Sequence, residues 1–291
     1  MEDHVEIDLG MAALISDRGL RHHRNEDAGN VVIGGDRAAV VVCDGVSSTA
    51  NPDQAAAAAT EAAMAVLQAF LAEPAPDQAE DEDEEHGDEE DGDEEDGAAT
   101  VAALREAVDA ARHAVDDVPG TEAGGYPGKP STTLVAGVIG RGLAVMASVG
   151  DSRGYWLAAG GTNQRLTVDD SWAEAAIASG VPEPAAYAAP QAHVITSWIG
   201  GDAGDVDPAV ATVRLDEAGV VVVCSDGLWN YLPGPDDLAA AADTGAPAPE
   251  GVSRPLAVAR RLVDTALQAG GSDNITVAVV IVGPAADDDE D

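Results

Sequence analysis

VVVCDG at residues 40–45 and VVVCSDG at 221–227 share one local design, an apolar run that ends in an aspartate and a glycine. Val-rich runs of this length read as buried β-strands. Two further segments, ASVGDSR (147–153) and GGSDNITVAVV (270–280), follow the same idea. Each sets a carboxylate at the mouth of a rigid apolar element. Isolated buried carboxylates are costly, so several that converge need bases or metal ions to neutralise them. Bases are scarce, since Lys129 is the single lysine. An oxygen-rich site suits hard divalent cations, Mg²⁺ or Mn²⁺, better than zinc, which prefers Cys and His. The glycine after each aspartate lets the backbone approach closely and offers its carbonyl as a ligand.

Further strands are expected at 11–16, 134–139, 143–149, 154–158 and 210–214, with 38–43, 220–224 and 275–282 belonging to the motifs just quoted. Gly, Asp or Pro bounds each of them. The Ala-rich stretch 52–71 carries Met64, Leu67 and Leu71 at helical spacing, with Pro52 in its first turn. Residues 98–118 present Val101, Leu104, Val108, Ala111 and Val115 on one face, and 172–180, 235–243 and 255–269 also read as helices. Strands, then two helices, then more strands favour an α+β architecture over strict βαβ alternation. Residues 182–208, with four prolines, form a less regular excursion.

The 291 residues hold 54 acidic and 14 basic side chains, a formal net charge of −40. Such a charge argues against nucleic-acid and membrane-surface partners. No apolar run approaches the ~20 residues that span a bilayer, and the N-terminus MEDHVEIDLG lacks a signal-peptide pattern. The two cysteines, Cys43 and Cys224, sit inside apolar runs and suit reduced core thiols in a cytoplasmic protein. Residues 80–96 contribute 14 carboxylates and the last five residues another five, 19 of the 40 excess charges. Both runs repel themselves and bury nothing, so a disordered insert at 77–97, between two helices, and a disordered tail at 284–291 are expected.

Eight segments in order, SDRGLRHHRNED (16–27), VVVCDG (40–45), STTL (131–134), ASVGDSRGYWL (147–157), LTVDDS (166–171), HVITSWIGG (193–201), VVVCSDGLWNYL (221–232) and GGSDNITVAVV (270–280), resemble the metal-dependent, type 2C serine/threonine protein phosphatases in their bacterial form. The resemblance covers most of the chain outside the insert and tail. It implies one phosphatase domain over 8–283, built as a four-layer α-β-β-α sandwich of two antiparallel sheets flanked by antiparallel helix pairs. It implies two Mn²⁺ or Mg²⁺ ions and a possible third. Asp44 matches the bridging ligand, Gly45 lends a carbonyl, and Asp226 and Asp273 match the remaining direct ligands. Glu26 and Asp27 match the pair that holds metal-bound waters, Asp151 matches the ligand of the third ion shared with Asp226, and Asn274 orients Asp273. The implied activity is hydrolysis of phosphoserine and phosphothreonine in proteins by metal-activated water, on phosphorylated partners that include a cognate Ser/Thr kinase, by a monomer.

Two positions depart from the family pattern. His22 stands where many members carry a phosphate-gripping arginine, with Arg21 beside it, so these two are the candidate phosphate ligands. Val46 stands where eukaryotic members carry a histidine proposed as general acid, which leaves His193 or a water for that role. Taken singly, Asp44 and Asp226 read as helix caps and Asp151 as a turn residue; the ordered set reads as a site. The rival readings are a phosphatase of a partner-switching circuit and a non-catalytic binding module that uses the acidic insert.

Overall fold

The computed structural model describes residues 3–73, 89–120, 128–201, 203–204 and 206–283, the side chains of 89–95 excepted. The chain opens with β1 (His4–Asp8), β2 (Ala12–Asp17), β3 (Asp27–Gly34) and β4 (Arg37–Asp44), followed by α1 (Pro52–Ala72) and α2 (Glu89–Asp116). Then come β5 (Ser131–Thr132), β6 (Leu134–Gly140), β7 (Leu143–Val149), β8 (Arg153–Ala158) and β9 (Gln164–Arg165). An excursion through α3 (Trp172–Ala178), α4 (Glu183–Tyr187) and β10 (Ile199–Gly200) leads to β11 (Ala209–Arg214), β12 (Gly219–Cys224) and α5 (Asp226–Trp229). The described chain closes with α6 (Pro235–Ala242), α7 (Arg254–Ala269) and β13 (Ile275–Val282).

The strands form a six-stranded sheet, β1-β2-β13-β12-β8-β9, a five-stranded sheet, β11-β7-β6-β4-β3, and a small β10-β5 pair. The apolar runs explain why the two large sheets stack with helices outside. Along β4, Ala39, Val41 and Cys43 pack with α1 and α2, while Ala38, Val40 and Val42 pack between the sheets. Along β12, Val221 and Val223 join the inter-sheet core, while Val220, Val222 and Cys224 pack under α7. Side chains alternate in direction along a strand, so a strand covered on both faces must be apolar at every position. The layers are therefore α1/α2, sheet, sheet and α6/α7, the expected α+β sandwich. A small cluster around Ala173 and Ala186 holds the excursion together.

The structure adds to and corrects the sequence reading at several points. The sheet begins at His4, ahead of the expected boundary at residue 8. β1 is an edge strand whose alternating HVEID pattern buries none of its residues fully. β3, with its Gly29, Asn30 and Gly34, also lay outside the expected strands. Helix α2 starts at Glu89, inside the acidic run, so 89–97 of the expected disordered insert is helical; acidic residues are favourable in the first turns of a helix. The remainder of that insert, 77–88, and the tail 284–291 lie outside the described residues. Helix α1 is long and apolar enough by composition to cross a membrane, contrary to the expectation that no such run exists. Its Ala55, Ala59, Ala63, Leu67 and Leu71 are buried on the sheet, which makes it a core helix.

Candidate functional site

The strand-end aspartates come from both sheets and meet at one end of the sandwich. Asp44 ends β4 and lies opposite Asp27, which begins β3. Asp151 stands in the turn from β7 to β8, where the chain passes from one sheet to the other, and Asp226 opens α5 directly after β12. Asp273 precedes β13. Asp27 and Asp151 are buried, Asp44 and Asp226 half-buried.

Hydroxyls and amides fix these groups. The Asp44 carbonyl accepts from the Thr133 N–H (2.8 Å) and the Thr132 hydroxyl (2.9 Å), and the Asp44 N–H donates to Thr133 Oγ1 (3.1 Å). Ser225 Oγ donates to Asp27 Oδ2 (2.7 Å), and Thr276 also bonds that carboxylate. Asn230, one helical turn after Asp226, donates from Nδ2 to Asp226 Oδ2 (3.1 Å). The two glycines of the DG motifs are required by space. A Cβ on Gly45 would lie 2.4 Å from the Pro52 carbonyl oxygen, and one on Gly227 would lie 1.9 Å from that of Asn274.

Like charges in a desolvated site disfavour ionisation. Burial first, then neighbouring carboxylates, pushes Asp27 up to about 7 against the pull of its hydroxyl partners. The same two causes raise Asp151 to about 8 and hold Asp44 well above the carboxylate range. Asp226 is raised to about 6 by burial and the neighbouring Asp273. Asp27 Oδ1 and Asp226 Oδ1 are buried without a hydrogen-bond partner. Among the described residues no three Asp, Glu, His or Cys side chains close into a ready-made cage for one ion. The fit to metal therefore rests on chemistry: hard oxygen donors, two of them orphaned, around excess negative charge, which suits oxygen-seeking divalent cations.

The other expected site residues divide. His22 Nε2 lies 3.1 Å from Asp273 Oδ1, at the more exposed edge of the cluster. Arg21 is exposed beside it, and Arg21, His22, His23, Arg24 and Glu26 line one surface recess. Glu26 is buried beside Arg24 and Ser47. Its Oε1 accepts from Arg24 Nε (2.8 Å) and its Oε2 from Ser47 Oγ. Asn274 does more than steady Asp273. Its Oδ1 accepts from the Glu26 N–H (2.7 Å) and its Nδ2 donates to the Arg18 (2.7 Å) and Arg24 (3.1 Å) carbonyls, clipping the 18–26 loop to the start of β13. His193 is not in the cluster; it packs against Trp229, with ring centroids 5.6 Å apart.

Sequence reasoning missed the supporting shell. Thr132, Thr133, Ser225 and Asn230 lie inside the quoted motifs, and their small polar side chains next to buried aspartates were the available signal. It also missed a buried ion pair behind the site. Arg153 is held by Asp169 through Nε to Oδ1 (2.9 Å) and Nη2 to Oδ2 (2.6 Å), and its guanidinium stacks 3.6 Å from the Trp229 ring centroid. The Trp229 indole N–H donates to the Asp151 carbonyl (2.9 Å), which ties this pair to the cluster.

Comparison with known proteins agrees with this geometry. The family model for protein phosphatase 2C matches residues 20–264. The serine/threonine protein phosphatase PstP of Mycobacterium tuberculosis is 32% identical over 270 residues, which are 92% of this chain and 44% of that protein. The chain thus spans less than half the length of that relative, and 40% of the Listeria welshimeri serine/threonine phosphatase that it also matches. Among solved structures, the Ser-Thr phosphatase MsPP of Mycobacterium smegmatis is 27% identical with a TM-score of 0.64, covering 94% of this chain and 98% of that one. By its motifs, its sandwich and the family model's span, this chain belongs to the protein phosphatase 2C family.

Proposed function

We propose that the chain is a metal-dependent phosphatase that hydrolyses phosphoserine and phosphothreonine in proteins, with water as the nucleophile. One observation carries the reading: strand ends of both sheets bring Asp27, Asp44, Asp151 and Asp226 together, and two of them keep a buried oxygen unpaired. Asp44, Asp226 and Asp273 would hold two divalent cations with the Gly45 carbonyl, and Asp151 with Asp226 would hold a third. When bound, such cations supply a lowered water pKa and neutralise phosphoryl oxygens. The PstP catalytic domain, 27% identical with a TM-score of 0.60, was solved with two manganese ions, which supports a site for divalent cations, Mn²⁺ or Mg²⁺.

The chain's own residues position and select. Ser225 and Thr276 hold Asp27 so that one oxygen stays available to water. Asn230 and Thr133 keep Asp226 and Asp44 in place. His22, beside Asp273, and Arg21 form the phosphate grip at the rim. Glu26 serves the 18–26 loop through Arg24 and Ser47. Val46 has no proton to give, so the leaving alkoxide takes one from water. A thiol route is disfavoured, because burial pushes Cys43 up to about 12 and raises Cys224 as well. Free thiols at both positions suit a reducing compartment, and we place the activity in the cytoplasm, on phosphorylated proteins that include a Ser/Thr kinase.

The test is hydrolysis of a phosphothreonine peptide and of p-nitrophenyl phosphate with and without Mn²⁺. Metal-dependent turnover that Asp226→Asn abolishes is the expected result. Full activity in a chelator refutes the reading.

A further inference from the structure

A cavity of about 680 Å³ opens beside the carboxylate cluster, and the chemistry above leaves it unused. Asn230 belongs to both, since it lines the cavity and donates to Asp226. Trp229 and the Arg153 guanidinium stacked on it form part of the wall, and Tyr187 of α4 and His193 face them from the excursion. That opposite wall is fastened. The Tyr187 hydroxyl donates to Glu174 Oε1 (2.8 Å), and Arg165 binds the same oxygen. The cavity is therefore preformed.

Its charge is asymmetric. Both arginines in the lining are already neutralised, Arg153 by Asp169 and Arg165 by Glu174. Glu183, at the start of α4, and Asp237, at the start of α6, are exposed carboxylates of the lining with no ion-pair partner among the described residues. Asp237 takes only the Gly234 N–H (3.2 Å). Aromatic walls with unpaired carboxylates suit a long cationic side chain, whose methylenes lie on the rings while its head meets the carboxylates. An acidic side chain would meet repulsion there.

We propose that this cavity is a substrate-specificity pocket that takes an arginine or lysine side chain near the phosphorylated residue of the protein substrate. Shared Asn230 puts the pocket and the phosphoryl site within one bound peptide. The inference rests on the phosphatase reading and deepens it.

The experiment uses the full chain with Mn²⁺ and phosphothreonine peptides that carry Arg, Ala or Glu at each position flanking the phosphoresidue. The wild type should prefer Arg over Glu by about tenfold in kcat/KM at one position or more. Glu183→Lys should reduce that preference to about twofold or less while p-nitrophenyl phosphate turnover stays unchanged. Asp237→Asn serves as a second variant, with its melting temperature checked against loss of the Gly234 contact. Intact aryl phosphate hydrolysis without an Arg preference, or with one that both variants retain, overturns the pocket and leaves the phosphatase standing. No metal-dependent hydrolysis of any substrate sinks both readings at once.

Discussion

Asp169 and Asp27 are both deeply buried acids, and they lie in neighbouring corners joined by α5, yet their surroundings are opposite. Asp169 is held bidentately by Arg153, whose guanidinium also stacks on Trp229. Asp27 has only the hydroxyls of Ser225 and Thr276, faces Asp44 across the sheet edge, and leaves Oδ1 unpaired. A buried carboxylate that carries its own base is a strut. One left without a base, among others like it, is a place prepared for something the chain does not supply. Substitutions should therefore separate the corners, with activity lost in one and stability in the other.

The largest effect is expected in the carboxylate corner. Asp226→Asn should lower Mn²⁺-dependent kcat by about 10³-fold or more. The metal-free protein should melt no lower than wild type, because a source of like-charge repulsion has gone. A parallel fall in stability and activity would erase the distinction between the corners. In the other corner, Arg153→Met should cost about 3 kcal/mol, because Asp169 is left buried and uncompensated. Denaturant unfolding measures it. Adding Asp169→Asn should recover part of the loss, and the folded fraction of the double variant should remain active.

The two corners were not equally legible in the sequence. Asp44, Asp151, Asp226 and Asp273 were readable because each follows or precedes a run of apolar residues, a local pattern. The sandwich was readable for the same reason, since strands covered on both faces announce themselves by unbroken Val and Ile. Arg153 and Asp169 lie sixteen residues apart in two of the quoted motifs, and nothing local marks them as partners. β1 and β3 were missed because half-exposed strands with polar and glycine residues look like loops. The partners of Glu26 could not be read either. Glu26 and Asp27 match a water-holding pair, and only the fold shows that Arg24 and Ser47 also donate to the Glu26 carboxylate.

Acid and base should act on the corners differently. Folded-state values near 7 for Asp27, 8 for Asp151 and 6 for Asp226 lie above the ~3.9 of an unfolded aspartate. The folded chain therefore holds protons that the unfolded chain has released between pH 4 and 8, so its stability falls as pH rises through that window. In a chelator the melting temperature should drop by about 5 °C between pH 5 and pH 8. Saturating Mn²⁺ should flatten that slope, because cations replace the protons. A metal-free protein that grows more stable over the same range would mean the carboxylates are not mutually repelling, and the contrast with Asp169 would collapse.

The smallest expected effect sharpens the boundary of the carboxylate corner, where it meets solvent. His22 contacts Asp273 at the exposed edge, and Arg21 stands beside it without an ion-pair partner among the described residues. If either grips the incoming phosphate, its loss weakens binding without touching the reacting groups. His22→Ala and Arg21→Ala should each raise KM for a phosphopeptide by about three- to tenfold and leave kcat nearly unchanged, the signature of an interaction made equally in ground and transition states. The pair separates two arrangements. A larger effect at His22 means the imidazole has taken over the role the family assigns to an arginine. A larger effect at Arg21 means the guanidinium reaches in from the neighbouring position and His22 serves chiefly to hold Asp273. A fall in kcat at His22 with KM unchanged would move the boundary inward, making the histidine part of the carboxylate corner itself.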